Sequence, residues 1–163
     1  MASGVKVGDE VKELLTSMKV NRKSDDPSKR IRIVVLHIDG DYVKVEKTFE
    51  EQHLADKGNV YKFLEGEMKP NDCRYIVYDC HYDVKDGVKE ELVFIMWSDD
   101  NAAIKQKMKY ASSKSCLKKI LECKHEFEFH GKEDVTPRAF AECLSKMAKT
   151  GILSLEGLNV SDH

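Results

Sequence analysis

The sequence predicts a single α+β domain in which a mixed five-stranded sheet lies between two layers of helices. The first observation is the apolar run at residues 92–97, which is typical of an interior strand covered on both faces. The second is a pair of turn signals, Asp39-Gly40-Asp41 and Lys85-Asp86-Gly87, each between two β-rich segments. The third is a stretch without Gly or Pro, residues 101–124, which predicts one long helix. A chain of 163 residues with 41% hydrophobic and 34% charged residues fits one soluble domain.

The predicted elements follow the chain in the order helix, hairpin, helix, hairpin, helix, strand, helix. Apolar residues spaced three and four apart predict helices at 10–18, 59–67, 101–124 and 136–147. Alternating or continuous β-rich segments predict strands at 31–38, 42–49, 73–82, 91–97 and 125–129. Residues 50–57 stay without an assigned shape, and residues 152–155 are expected to add a short edge segment. We expect residues 1–8 to be a flexible arm, residues 9–157 the domain, and residues 158–163 a loose tail.

The long helix concentrates positive charge. Residues 101–124 contain seven lysines and one acidic residue, a local charge of +6 in a chain whose net charge is −2. Asp99, Asp100 or Asn101 is expected to be its N-cap, since short polar side chains cap helices and acids suit the positive end of the helix dipole. The charge is local, so the partner of this protein is expected to meet it locally, and bulk nucleic-acid binding is not expected.

At about 100° per residue, this helix presents two apolar patches instead of one. The first patch comprises Ile104, Met108 and Ala111. The second comprises Ala103, Tyr110, Leu117 and Leu121. Lysines separate the two patches: Lys107, Lys114 and Lys118.

Two geometries account for this pattern. Either one patch faces the core while the other stays outside, or the helix bends at Ser112-Ser113. A helix that buries one face and solvates its lysines would need no partner. An exposed methionine among lysines instead indicates a docking surface for an acidic partner with an apolar groove.

The residues show no catalytic or metal-binding pattern. The five cysteines are odd in number and include no CxxC, which favours reduced thiols in the cytosol over a disulfide framework or a zinc site. Cys80 and His81 are adjacent on a predicted strand and point to opposite faces, as do His125 and His130. Neither GxGxxG nor GxxxxGK[ST] occurs. Charges recur from Lys6 onward, so no secretory signal is expected. A binding protein without cofactors is therefore predicted, not an enzyme.

Several motifs resemble one known family. They are MASGV (1–5), CRYIVYD (73–79), LVFIMW (92–97), KQKMKYASSK (105–114), KHEF (124–127) and SLEG (154–157). In this order and over nearly the whole chain, they are similar to the ADF/cofilin family of actin-binding proteins. The resemblance implies the three-layer ADF-homology fold, binding to monomeric and filamentous actin, and the severing and depolymerisation of filaments. Such proteins act by favouring one filament geometry over another.

The resemblance also implies which residues bind. A surface used for both monomers and filaments would comprise Ser3, Gly4, Lys105, Lys107 and Met108, with Lys114, Lys118 and Lys119 as further contacts. A surface used only for filaments would comprise Lys85, Lys89 and Arg138.

Regulation is likewise implied by the resemblance. Ser3 matches an inhibitory phosphorylation site, on which a protein kinase and a phosphatase would act. Lysines 114, 118 and 119 match positions that meet acidic phosphoinositide headgroups at membranes. His125 matches a histidine associated with pH dependence, and Glu91 is its expected acidic partner. The protein is expected to be a monomer in the cytoplasm, at the actin cytoskeleton. The basic run that would direct nuclear entry is broken here by Ile31.

Other departures and alternatives remain open. Lys109 stands where the family has an apolar residue, and residues 46–59 form a shorter peripheral segment. A protein of the same fold could bind actin monomers or a branching complex without severing. It could also be a signalling module whose main ligand is a phosphoinositide membrane.

Overall fold

The computed structural model describes residues 5–20, 27–122 and 125–160. The strands are β1 (Lys6–Val7), β2 (Ile31–Asp39), β3 (Tyr42–Glu50), β4 (Cys73–Val84), β5 (Gly87–Ser98), β6 (His125–Phe129), β7 (Ser154–Leu155) and β8 (Leu158–Asn159). The helices are α1 (Asp9–Val20), α2 (Glu51–Leu54), α3 (Val60–Glu67), α4 (Ile104–Leu121) and α5 (Pro137–Ala148). Short 3-10 turns lie at Pro27–Lys29 and Lys132–Asp134.

The sheet is mixed, as predicted. Its main path runs β1-β3-β2-β4-β5-β6, and β7 pairs with β4. The pairs β2–β3, β2–β4 and β4–β5 are antiparallel, whereas β1–β3 and β5–β6 are parallel. The five predicted strands are all present. The sequence missed β1 and β8, because a two-residue strand carries no periodicity and is defined only by its pairing partner. The strand β7 lies within the short edge segment expected at residues 152–155.

The sheet is covered on both faces, which confirms the three-layer architecture. Along β5, Val93, Ile95 and Trp97 belong to the core cluster that packs with α3 and α5. The alternate residues Phe94 and Met96 belong to the cluster that packs with α1 and α4. The continuous apolar run of β5 therefore serves two cores, one on each face of the sheet.

The long helix is shorter than predicted. It begins at Ile104 after Ala103, an N-cap with no side-chain hydrogen bond, and ends at Leu121 because Glu122 adopts a left-handed conformation (φ 53°). The predicted caps are wrong because Asp99 is buried and its carboxylate accepts from the backbone N–H groups of Asn71 and Asn101. The acidic pair therefore builds the preceding turn, and the helix starts beyond it.

The last residues of the predicted arm belong to the fold. Val5 and Val7 are buried, and Lys6–Val7 pairs in parallel with Tyr42 and Val43 of β3. Two valines flanking one lysine bury enough apolar surface to hold this short strand against the sheet. The first four residues lie outside the described part of the chain.

Other boundaries differ modestly. The strands β4 and β5 each run 12 residues, longer than predicted, and meet at a turn formed by Lys85 and Asp86. In the stretch that the sequence left unassigned, Glu51–Leu54 forms a single helical turn that buries Leu54. Asn59 caps α3 by accepting from the N–H of Lys62, and Thr136 caps α5 by accepting from that of Ala139.

Candidate functional site

One apolar patch of α4 faces outward. Ile104 is 71% exposed and Met108 is 66% exposed, and Ala111 is exposed beside them. Tyr110 and Leu117, from the second patch, are buried in the core cluster shared with α1. The prediction of one buried and one exposed patch is therefore confirmed, and α4 is one uninterrupted helix through Ser112 and Ser113. We call Ile104, Met108 and Ala111 the exposed patch.

Ala103 is an exception to the predicted division. The sequence grouped it with Tyr110, Leu117 and Leu121, but it is exposed because it precedes the helix as its N-cap and does not follow the helical periodicity. The neighbouring Ala102 is buried instead.

Polar contacts fix the rotation of α4 about its axis. The hydroxyl of Tyr110 accepts from the N–H of Ile38 at 2.9 Å, while the hydroxyl of Tyr75 donates to the carbonyl of Tyr110. The buried hydroxyl of Ser113 donates to the carbonyl of Lys109 at 2.7 Å. Burial raises the pKa of Tyr110, which keeps its hydroxyl neutral. The exposed patch is thus held outward on a rigid element, a geometry suited to docking.

The lysines of α4 near the exposed patch differ in whether they already have a partner within the protein. Lys105 and Lys119 are exposed and have no hydrogen-bond or ion-pair partner among the described residues. Lys107 donates to the carbonyl of Asp100 at 2.9 Å. Lys114 and Lys118 instead form ion pairs with carboxylates of β6, described below. A count of charges along the helix therefore overstates the positive charge available to a partner.

Lys109, the departure noted in the sequence, points away from the exposed patch. Its Nζ donates to the carbonyl of Gly40 in the β2–β3 turn at 2.6 Å. Gly40 adopts φ 62°, a left-handed conformation that favours glycine. Lys109 therefore ties α4 to this turn.

Ser3 and Gly4 lie outside the described residues, but the point where their segment joins the fold is visible. Val5 is buried against α4, and the thiol of Cys116 donates to its carbonyl at 3.8 Å. A groove of about 590 Å³ opens beside it, and its wall includes Lys6, Lys12 and Lys119. The predicted arm therefore joins the fold beside α4, next to a basic groove.

The three residues predicted for filament binding lie near one end of the sheet. Lys85 and Lys89 are exposed around the β4–β5 turn, where Val88 is also 67% exposed. Asp83 of the same hairpin accepts from the N–H of Leu153 at 2.8 Å. Arg138 of α5 and Leu153 line one groove of about 320 Å³. The segment before β7 thus connects the hairpin with the Arg138 groove.

His125 and its expected acidic partner Glu91 are in contact. His125 Nε2 lies 2.5 Å from Glu91 Oε2, across the parallel pair of β5 and β6. Tyr82 also interacts with Glu91, and burial together with that carboxylate raises the pKa of Tyr82 to about 12.

Cys80 and His81 lie in different surroundings. Cys80 is buried in the core cluster that packs with α3 and α5, whereas His81 Nε2 lies 3.4 Å from Asp79 Oδ1. Within the described ranges, no three His, Cys, Asp or Glu residues form a group that could hold a metal ion. None of the described helices is long and apolar enough to cross a membrane.

The sequence-based list of site residues missed three features. Ile104 was assigned to the first apolar patch but not to the binding residues, although it lies one helical turn from Met108 and is the more exposed of the two. Val88 carried no signal, because a lone valine beside a turn is ordinary. Glu126 and Glu128 of β6 were not assigned to any site, because their contacts with α4 arise only in the tertiary structure.

Comparisons with known proteins identify the fold. The family model described as cofilin/tropomyosin-type actin-binding protein matches residues 4–145. Streptomyces griseoflavus cofilin is 26% identical, with a TM-score of 0.68 over 85% of this chain and 97% of that chain. The ADF-like UNC-60A protein of Caenorhabditis elegans is 23% identical, with a TM-score of 0.72 over 90% and 98%. ADF from Toxoplasma gondii is 30% identical, with a TM-score of 0.55 over 84% and 98%. This chain therefore belongs to the cofilin/tropomyosin-type family of actin-binding proteins.

Proposed function

We propose that this protein binds monomeric and filamentous actin through the exposed patch of α4 and Lys105 beside it. The observation that carries the proposal is the pair Ile104 and Met108, two large apolar side chains left outside on a rigid helix. Exposed apolar clusters with a charged rim are typical of protein-binding surfaces. Lys105, which has no ion-pair partner in the part of the chain that the structure describes, supplies a positive charge at the rim that suits an acidic partner.

Filament binding would add the second surface, formed by Lys85, Lys89 and Arg138. The two surfaces lie on different elements of one rigid domain, so they can contact two neighbouring subunits of a filament. A protein that binds one filament twist more tightly than another shifts the filament toward that twist. Severing and depolymerisation follow from this difference in affinity and need no catalytic residues.

Phosphorylation of Ser3 would regulate the first surface. A phosphate adds about −1.5 to −2 charge. Ser3 is two residues before Val5, which contacts Cys116 in the C-terminal half of α4. In this proposal the phosphate engages the lysines of the basic groove beside Val5, which are Lys6, Lys12 and Lys119. It would also repel an acidic partner docking on α4.

His125 would make filament binding depend on pH. Protonated His125 forms a charged pair with Glu91, whereas neutral His125 leaves that carboxylate uncompensated. Replacing His125 by Ala should remove the pH dependence of severing. If H125A severed with the same pH dependence as the wild type, this role would be abandoned.

Sedimentation with actin filaments tests the main proposal. The wild type should pellet with filaments and multiply filament ends in microscopy, whereas the variant I104A/M108A should do neither. Lys57→Ala is the matched control, since Lys57 is exposed in the loop after α2, far along the chain from α4. If the wild-type protein neither pelleted with filaments nor severed them, the proposal of filament binding would be abandoned and only monomer binding would remain.

A phosphoinositide-binding module is the second candidate. The groove beside Val5 favours it, because Lys6, Lys12 and Lys119 line it with a single acidic residue, Asp9. Vesicles containing phosphatidylinositol bisphosphate should bind the wild type and should not bind the variant K6A/K12A. Vesicle binding without any actin binding would make this the principal function.

A further inference from the structure

Two lysines of α4 are held by the carboxylates of a neighbouring strand. Lys114 Nζ lies 2.8 Å from Glu126 Oε2 and 3.4 Å from Glu128 Oε1. Lys118 Nζ lies 2.9 Å from the other oxygen, Glu126 Oε1. Glu126 thus bridges both lysines with one carboxylate.

The topology explains this contact. Residues alternate along β6, so Phe127 and Phe129 face the core cluster of α3 and α5 while Glu126 and Glu128 face the side of α4. β6 is the last strand of the main sheet path. The face of β6 that carries Glu126 and Glu128 lies next to Lys114 and Lys118 of α4.

The pKa shifts of Glu126 and Lys114 agree with an ion pair between these side chains. Partial burial alone would raise the pKa of Glu126, but the ion pairs with Lys114 and Lys118 hold that pKa below its usual value. The contact with Glu126 likewise raises the pKa of Lys114. Glu126 is therefore charged at neutral pH and compensates part of the lysine charge.

From this geometry we propose that Glu126 is a specificity-determining residue, an intramolecular competitor that withholds Lys114 and Lys118 from acidic partners. The surface then selects partners that bind the exposed patch and Lys105, and disfavours partners that offer negative charge alone. Lys114 and Lys118 contribute little to docking in the wild type, in contrast to what the family resemblance implies for them. This inference rests on the proposed function only for the identity of the partner, actin.

The chain offers an isosteric test. Glu126→Gln keeps the shape and removes the charge, and Asp56→Asn makes the same change in net charge at an exposed loop position. E126Q should bind actin filaments roughly threefold more tightly than D56N at low salt, the size expected for releasing exposed ion pairs. The gain should shrink as added salt screens the freed charges.

A second arm identifies the residues responsible. In the wild-type background, K114Q/K118Q should change filament affinity by less than about twofold. In the E126Q background, the same pair should abolish the gain. Equal affinity of E126Q and D56N would overturn the proposal, as would an equal loss from K114Q/K118Q in both backgrounds.

A third arm does not depend on actin. On a sulfonate cation exchanger, E126Q should elute at higher salt than D56N, although their net charges are equal. If the wild type failed to bind filaments while this difference held, the proposed function would fail and Glu126 would still mask the lysines. If E126Q and D56N eluted at the same salt concentration, the proposal that Glu126 masks Lys114 and Lys118 would be overturned. Retained stability of E126Q in urea would show that the comparison is between folded proteins.

Discussion

Arg32 and Glu156 form an ion pair of 2.5 Å between the second strand and the C-terminal segment, with both side chains almost fully buried. Glu156 adopts a left-handed conformation (φ 52°), and its carboxylate also accepts from the hydroxyl of Tyr78 and the N–H of His81. One carboxylate therefore holds the segment after β7 against β2 and β4. The SLEG motif that contributed to the family resemblance has a structural explanation in this contact.

Removing that charge should destabilise the domain. Glu156→Gln leaves the guanidinium of Arg32 buried with only Glu51 as an ionic partner, and breaking a buried pair costs about 3 kcal/mol of unfolding free energy. Urea unfolding at neutral pH measures it. Glu51→Gln is the control, because that carboxylate is partly exposed and should cost less than about 1 kcal/mol. Equal losses would mean that Glu156 is not the principal partner.

The exposed patch should matter for binding and not for stability. Ile104→Ala removes a side chain that buries little surface in the free protein, so the free energy of unfolding should change by less than about 0.5 kcal/mol. Actin affinity should fall roughly tenfold, as for an anchor residue of an interface. Calorimetry with monomeric actin tests this, and unchanged affinity would exclude Ile104 from the interface.

A better N-cap on α4 should stabilise the protein. Ala103 is an N-cap in extended conformation without a side-chain acceptor, so Ala103→Ser should stabilise the protein by about 1 kcal/mol. The reverse change at a working cap, Thr136→Ala on α5, should cost about the same. Urea midpoints of the two variants should therefore move in opposite directions. A destabilised A103S would show that the turn before α4 cannot accommodate the serine.

Asp79 should make stability depend on pH in the acid range. Its burial alone would raise its pKa, but the imidazole of His81, 3.4 Å away, and the hydrogen bond from Arg30 hold that pKa below its usual value. Because the folded pKa is depressed, the stabilisation is present above the unfolded value, about 3.9, and is lost as pH falls through the folded pKa. Asp79→Asn should be less stable than wild type at pH 7, with a smaller further loss on acidification. Urea unfolding over this pH range measures both.

The sequence by itself determined the features that depend on local periodicity and turn chemistry. The apolar run around Phe94 predicted an interior strand, and the spacing of Ile104 and Met108 predicted an apolar patch separate from the one that contains Tyr110. These predictions succeeded because side-chain direction in a strand or helix follows from position along the chain. The motifs also sufficed to indicate the family, since they occur in order over nearly the whole chain.

Only the tertiary structure decided which charged groups are available. Asp99 looked like a helix cap but turned out to hold the preceding turn, and Lys114 looked like a free cation but is bound by Glu126, which is 12 residues further along the chain. Glu156 meets Arg32 across 124 positions of sequence. Such pairings depend on which strand borders which helix, and no local pattern carries that information. The sequence shows which residues are charged, but the tertiary fold determines which charged residues pair with each other.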